Sequence, residues 1–313
     1  MKIYIPQDID PAGKNYLLER GYELKMGSGT DQETMIREIA DCDGVIVRVA
    51  KFGRPVMEAA PKLKVIGRHG VGVDNIDVAA ASELGIRVTN GPYSNTESVA
   101  EHTVALALAA ARLLPQLTHA VKSGDFGTRN RVRLLDLSGK TAGLIGSGRI
   151  AQSVARRLTA GFGMQCITWG TSHPERLPEY MTYVDSLEEL LRRSDLVSIH
   201  CPATPESMGM LGASELACLK EGAVLVNTAR GGIVDEQALY EALASGKLRG
   251  AGLDVFEGEI PDPQNPLLGL ENVICSPHCA SHTNESFANM ALHAAIGVHE
   301  VLSGAEVSWP VNG

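Results

Sequence analysis

The residues best suited to chemistry stand in three segments, each just after a short apolar run. Residues 227–235 read N-T-A-R-G-G-I-V-D and carry one arginine, Arg230, beside two glycines. Residues 252–259 read G-L-D-V-F-E-G-E and offer the carboxylates of Asp254, Glu257 and Glu259. Ser276, Pro277 and His278 follow a third run. A guanidinium can clamp a carboxylate with two parallel hydrogen bonds while polarising the carbonyl next to it. An imidazole titrates near neutrality, so it can give a proton in one direction of a reaction and take it back in the other. A carboxylate beside that ring orients it and favours its charged form. In a doubly wound sheet ligands gather outside the carboxyl ends of the strands, so the three segments could meet in one cleft.

A fourth segment suits a dinucleotide. Residues 141–151 read as an apolar strand, a turn with Gly146 and Gly148, and a helix start in which Ala151 takes the third small position. Gly146 permits the tight turn, Gly148 lets a pyrophosphate approach the backbone, and the amides of Arg149 and Ile150 open the helix toward it. Such a glycine spacing is weak alone, but here the preceding strand and following amphipathic helix supply its context. The next strand, 164–169, should end in an acid that holds the adenosine ribose hydroxyls. Gly170, Thr171, Ser172 and His173 stand there instead, and the first carboxylate is Glu175. An acid would repel a 2′-phosphate, while Thr171, Ser172, His173 and Arg176 could donate to one. NAD and NADP both stay open, with a slight tilt to NADP.

Two further patterns need weighing. Cys275, His278, Cys279 and His282 spell C-x-x-H-C-x-x-H, a possible zinc set. Structural zinc sites bring two ligand pairs together across a longer loop, and Pro277 keeps this segment extended, so no metal is expected. Arg48, Lys51 and Arg68 lie at or just past expected strand ends. They could converge on a second anionic or strongly polar group of a substrate, with Arg129, Arg131 and Arg133 as a further basic segment. Solvated charges paired with Asp43, Asp74 or Glu101 are the plain alternative.

These residues need a scaffold, and the chain reads as an alternating one. Strands are expected at 3–6, 23–26, 44–49, 64–69 and 87–90, with helices near 11–20, 31–41, 55–60 and 75–84. A long helix is expected from 96 to 114, with Pro115 as its stop. Strands then recur at 141–145, 165–169, 196–200, 223–227, 252–255 and 273–276, and helices near 149–162, 187–193, 213–218, 236–245 and 284–303. Apolar runs without polar alternation suit strands buried on both faces of a parallel sheet. At 313 residues and 44% hydrophobic, the chain can fill two cores. Its net charge of −9 argues against nucleic acid as a main partner. No apolar stretch approaches the roughly 20 residues of a membrane span. The six cysteines are scattered and the amino terminus shows no signal peptide, so a reduced, cytoplasmic protein is expected.

The order of these motifs resembles the D-isomer-specific 2-hydroxyacid dehydrogenases. The resemblance runs from residues 65–77 (V-I-G-R-H-G-V-G-V-D-N-I-D) through 94–102 (S-N-T-E-S-V-A-E-H), the glycine turn, N-T-A-R-G-G, D-V-F-E-x-E and P-H. It implies an α/β protein of two doubly wound parallel-sheet domains with a cleft between them. A flavodoxin-like substrate domain would comprise 1–97 and 281–313, and a Rossmann cofactor domain 98–280. The family's catalytic arginine, carboxylate and histidine map onto Arg230, Glu259 and His278. Asp254 would face the nicotinamide carboxamide, and Thr228, Ala229, Cys201 and Pro202 would line the cofactor groove. The amides of Val71 and Gly72 would meet the substrate carboxylate together with Arg230; Arg48, by its place at a strand end and not by the resemblance, is a further candidate substrate contact. His102 reads as packed or polar-bridged. The implied reaction is hydride transfer between NAD or NADP and a small D-2-hydroxy acid or 2-oxo acid, in a homodimer formed through the cofactor domain. Phosphoglycerate dehydrogenases and hydroxypyruvate/glyoxylate reductases are the two branches in view. The glutamate at 259 speaks against a formate-oxidising branch, which carries glutamine there. A nucleotide-sensing corepressor on the same fold is the alternative, although the chain shows no extra tail for it.

Overall fold

The computed structural model describes residues 1–171 and 173–313. Two compact units emerge, Met1–Thr96 with Ser281–Gly313, and Glu97–Ala280. The division falls one residue before the expected one.

The chain begins with β1 (Lys2–Ile5), α1 (Pro11–Leu18), β2 (Glu23–Met26), α2 (Gln32–Ile39), β3 (Gly44–Val47), α3 (Arg54–Glu58), β4 (Val65–Arg68), α4 (Val78–Glu83) and β5 (Arg87–Thr89). These strands form a parallel sheet in the order β2-β1-β3-β4-β5, the flavodoxin-like arrangement. The core splits by strand parity. Tyr4, Val45, Val47, Ile66 and Val88 pack on one face, and Ile3, Ile5, Ile46 and Val65 on the other. Both faces are dry, which explains why β3 reads as an unbroken apolar run. The fourth helix starts later than expected, because Asp77 caps it by accepting from the Ala80 amide at 2.9 Å.

The expected helix over 96–114 ends three residues early, and a second helix that was not expected follows it. α5 (Thr96–Ala111) and α6 (Leu114–Lys122) meet at 60° across Arg112 and Leu113. Leu113 is left-handed, at φ +48°, and Pro115 lies in the first turn of α6, where its missing N–H costs nothing. Proline thus stops one helix and starts the next. Among the described residues no single helix is long and apolar enough to cross a membrane.

The second unit continues with β6 (Thr141–Ile145), α7 (Arg149–Phe162), β7 (Gln165–Trp169), β8 (Met181–Tyr183), α8 (Leu187–Arg193), β9 (Leu196–Ile199), α9 (Ala213–Cys218), β10 (Ala223–Asn227), α10 (Glu236–Ala244), β11 (Leu248–Leu253) and β12 (Val273–Cys275). The chain ends with α11 (Asn284–Ser303), which returns to the first unit. The second sheet is parallel in the order β12-β11-β10-β9-β6-β7-β8. Its strand order reverses at β6, which lies between β7 and β9, so the crevice at that reversal opens beside the glycine turn. β8 is absent from the sequence expectation because it is three residues long with only Met181 fully buried. β11 starts four residues earlier than expected. Gly250 and Gly252 look like strand breakers, yet they let α5 lie close against the strand. A Cβ on Gly252 would come 2.7 Å from that of Leu106.

Candidate active site

The glycine turn is built as a phosphate cradle requires. Gly146 has φ +97°, which favours glycine, and a Cβ there would fall 2.8 Å from the His200 carbonyl oxygen. Gly148 caps α7 in an extended conformation and makes no side-chain cap hydrogen bond to its first turn. A Cβ on Gly148 would meet nothing within 4 Å, so the backbone there is open to close approach. Beyond β7, Gly170 is left-handed at φ +85°, and the Thr171 hydroxyl accepts from the His173 amide at 3.2 Å. Ser172 lies outside the described residues. Glu175 is drawn to His173 at 3.2 Å and Arg176 at 3.6 Å. On the other side of the reversal, Cys201 is half-buried and burial pushes its thiol up. Ser207 donates to the Pro202 carbonyl at 2.7 Å and fixes that turn.

The arginine loop follows β10 and is tied from within. The buried Asn227 side chain accepts from the Ala229 amide at 3.0 Å and donates to the Arg230 carbonyl at 2.8 Å. Thr228 pairs hydroxyl to hydroxyl with Thr103 of α5 at 2.8 Å. The Arg230 guanidinium donates to the Ala229 carbonyl at 2.7 Å. Gly231 lets this loop pass against the backbone of Phe256, and so sets Arg230 beside the loop that carries the carboxylates.

Glu259 and His278 are the other two expected members. Both are left-handed, at φ +71° and +51°, and for non-glycine residues that is uncommon enough to point to function. His278 Nδ1 stands 3.6 Å from Glu259 Oε1, a charge-pairing distance rather than a hydrogen bond. Both side chains reach solvent, 46% and 75% exposed, so a ligand can reach them. Glu257 is exposed, while its amide is anchored to Glu236 at 2.7 Å.

Asp254 is 1% exposed and already engaged. It accepts from the Ser276 hydroxyl at 2.6 Å and from the amides of Cys279 and Ala280, each at 2.9 Å. His102 bridges to the Ser276 hydroxyl at 2.9 Å. His102, Asp254 and Cys279 offer atoms within 4.8 Å of one another, but both carboxylate oxygens are taken by protein donors. Sequence reasoning missed Asn227 and Ser276 as braces. The available signal was a polar residue at the last position of one apolar strand and just past another.

In the first unit, the loop after β4 is held by its carbonyls. Gly91 N donates to Gly70 O at 2.9 Å, Asn90 Nδ2 to Val71 O at 2.7 Å, and Arg68 Nε to Gly72 O at 2.6 Å. The Val71 and Gly72 amides donate to no protein group among the described residues. Arg68 therefore braces this loop rather than standing out as a cation, a correction to its expected pairing with Arg48. Arg48 lies 4.9 Å over the Phe287 ring and reaches the Asp8 carbonyl at 3.4 Å. In the second unit Arg131 turns back onto Asp125 and Thr128 within its own segment.

Residues 104–280 match the D-isomer specific 2-hydroxyacid dehydrogenase, NAD binding domain. The chain is 41% identical, over 100% of its length, to a D-3-phosphoglycerate dehydrogenase of Archaeoglobus fulgidus, of which it covers 59%. It thus spans less than two thirds of that relative. It is 39% identical over 93% of its length to a glyoxylate reductase of Korarchaeum cryptofilum, covering 89% of that protein. An NADPH-dependent glyoxylate/hydroxypyruvate reductase of Sinorhizobium meliloti, solved with citrate, superposes with a TM-score of 0.86 at 34% identity, over 99% of this chain and 97% of that one. These relatives are named as enzymes, which does not favour the corepressor reading. On the motifs, the fold and these likenesses together, the chain belongs to the D-isomer-specific 2-hydroxyacid dehydrogenase family.

Proposed function

We propose that the protein interconverts a small 2-oxo acid and its D-2-hydroxy acid with NAD or NADP. The observation that carries this is the placing of Arg230, Glu259 and His278 at the ends of neighbouring strands of the sheet that also bears the glycine turn. The start of α7 without a side-chain cap and the unobstructed backbone at Gly148 fit a pyrophosphate. Gly146, Gly148, Arg149 and Ile150 would hold it, with Thr171, Cys201, Pro202, Thr228, Ala229 and Asp254 along the remainder of a dinucleotide. That cofactor, when bound, supplies or takes the hydride.

The chain's own residues do the rest. Arg230 binds the substrate carboxylate and draws electron density from the adjacent carbonyl oxygen. His278 turns Nδ1 toward Glu259, which leaves Nε2 to give a proton to that oxygen as it becomes a hydroxyl. In the reverse direction Nε2 takes the proton back, and Glu259 stabilises the resulting charge. The amides of Val71 and Gly72, with Arg48, are assigned to substrate. Gly170 at the end of β7 supports a tilt to NADP. The exposed Leu114, Val121 and Phe126 on α6 and just after it support a homodimer through this unit, and a cytoplasmic location accompanies the reading.

A spectrophotometric scan tests the function. Glyoxylate, hydroxypyruvate, phosphohydroxypyruvate and pyruvate are offered with each reduced cofactor. Turnover of at least one is expected. Cofactor binding without turnover of any would favour a sensor instead.

A further inference from the structure

The His278 turn has an unfavourable backbone, so something must hold it. Asp254 does this with its main-chain carbonyl and with both carboxylate oxygens. Its main-chain carbonyl takes the His278 amide at 2.8 Å, and its carboxylate takes the amides of Cys279 and Ala280, one on each oxygen. One buried residue therefore grips three consecutive amides.

The carboxylate is itself aimed. An ionised carboxylate has no proton to give, so the Ser276 hydroxyl donates to it across their 2.6 Å contact. That leaves the Ser276 oxygen as an acceptor toward His102 Nε2, 2.9 Å away. His102 must then carry its proton on Nε2. It sits on α5, whose Leu106 packs against Gly252 of β11, so the donor rides on a rigid element.

We propose that His102 is a positioning residue for proton transfer: its Nε2–H, relayed by the Ser276 hydroxyl, orients the Asp254 carboxylate that holds the His278 turn. This rests on the reading of His278 as the proton donor. Misplacing a reacting group by about 1 Å can cost on the order of 10²-fold in rate. Loss of the relay therefore lowers kcat and spares the binding of a substrate clamped by Arg230.

The test is steady-state kinetics with the better 2-oxo acid and cofactor, together with Tm, for five variants. His102→Leu and Ser276→Ala are expected to lose roughly 10- to 100-fold in kcat, with KM for the oxo acid changed by less than about twofold. His102→Gln and Ser276→Thr, which keep a donor and a hydroxyl, are expected to recover most of kcat. Wild-type kcat in His102→Leu and Ser276→Ala overturns the proposal. So does equal impairment of the Leu and Gln variants with a matching fall in Tm, which would mark a packing role. Should His102→Leu fail to fold, Ser276→Ala removes one atom only and decides. His278→Ala separates the two levels. Full activity there sinks the proton-donor reading itself, whereas an inactive His278→Ala beside a fully active His102→Leu sinks only the relay.

Discussion

Gly231 and Phe256 meet backbone to backbone: a Cβ on Gly231 would lie 1.8 Å from the Phe256 carbonyl oxygen. This contact sets the arginine loop against the loop that leads to Glu259, and no side chain can occupy it. Gly231→Ala should cost roughly 2–3 kcal/mol and most of the activity, since the loops must part. Gly161 in α7 has nothing within 4 Å of a would-be Cβ, so Gly161→Ala should be neutral or slightly stabilising. Thermal unfolding of the two variants, side by side, checks the contrast. Equal Tm values would show that the loop contact gives way easily.

The acid–base assignment predicts a division of labour. His278→Ala should lose roughly 10²–10⁴-fold in kcat while cofactor affinity stays near wild type. Glu259→Gln keeps the shape but removes the charge 3.6 Å from Nδ1, and should lose less. Arg230→Ala should raise KM as well as lower kcat, because it removes a ground-state contact too. A chelator that inactivates the wild type, combined with an active His278→Ala, would restore a metal reading.

Cofactor choice can be moved at the end of β7. An acid there would accept from ribose hydroxyls and repel a 2′-phosphate, shifting preference toward NAD. Gly170→Asp places a side chain at φ +85°, so some loss of stability should accompany the shift. Thr171→Asp lacks that positive-φ glycine position and serves as the companion. An unchanged ratio of NAD to NADP efficiencies in both would locate the choice elsewhere.

Arg48 and Arg68 should no longer behave alike. Arg68 holds the Gly72 carbonyl, so Arg68→Ala should impair every substrate. Arg48, resting over Phe287, is the better candidate for a second anionic group. Arg48→Ala should selectively lower kcat/KM for phosphohydroxypyruvate relative to pyruvate. If pyruvate is already the better substrate, or the gap is unchanged, no second-anion subsite exists.

His69 predicts a pH effect on stability. It is 2% exposed and its Nε2 has no partner. Burial first, then Arg48 and Arg68, push the imidazole down to about 4 from 6.5. The unfolded chain binds the proton more readily, so stability is fully present above the unfolded value. It is lost as pH falls from about 6.5 toward about 4. Tm should drop through that window, and His69→Leu should flatten the drop. A parallel fall in both proteins would assign the effect to other groups.

Much of this protein is local and therefore legible in its residues alone. β-branched runs dry on both faces announced parallel strands, because such a strand cannot afford a polar side. The turn from Gly146 to Ala151 could be read because its chemistry needs small residues at set spacings within one loop. Arg230 and His278 stood out because each follows a strand end, whereas Glu259 was separated from Asp254 and Glu257 only by the resemblance to the family. Tertiary structure decided what depends on distant partners. Only packing shows that the strand reaches back through Gly250, whose missing side chain makes room for α5, more than a hundred residues earlier. Only the fold turns Arg68 inward onto its own loop and leaves Arg48 on an aromatic ring. His102 and Ser276 lie 174 positions apart and acquire a shared role through one hydrogen bond. A hydrogen bond between residues so distant has no period or spacing in the chain to betray it, because its geometry exists only after two elements have packed.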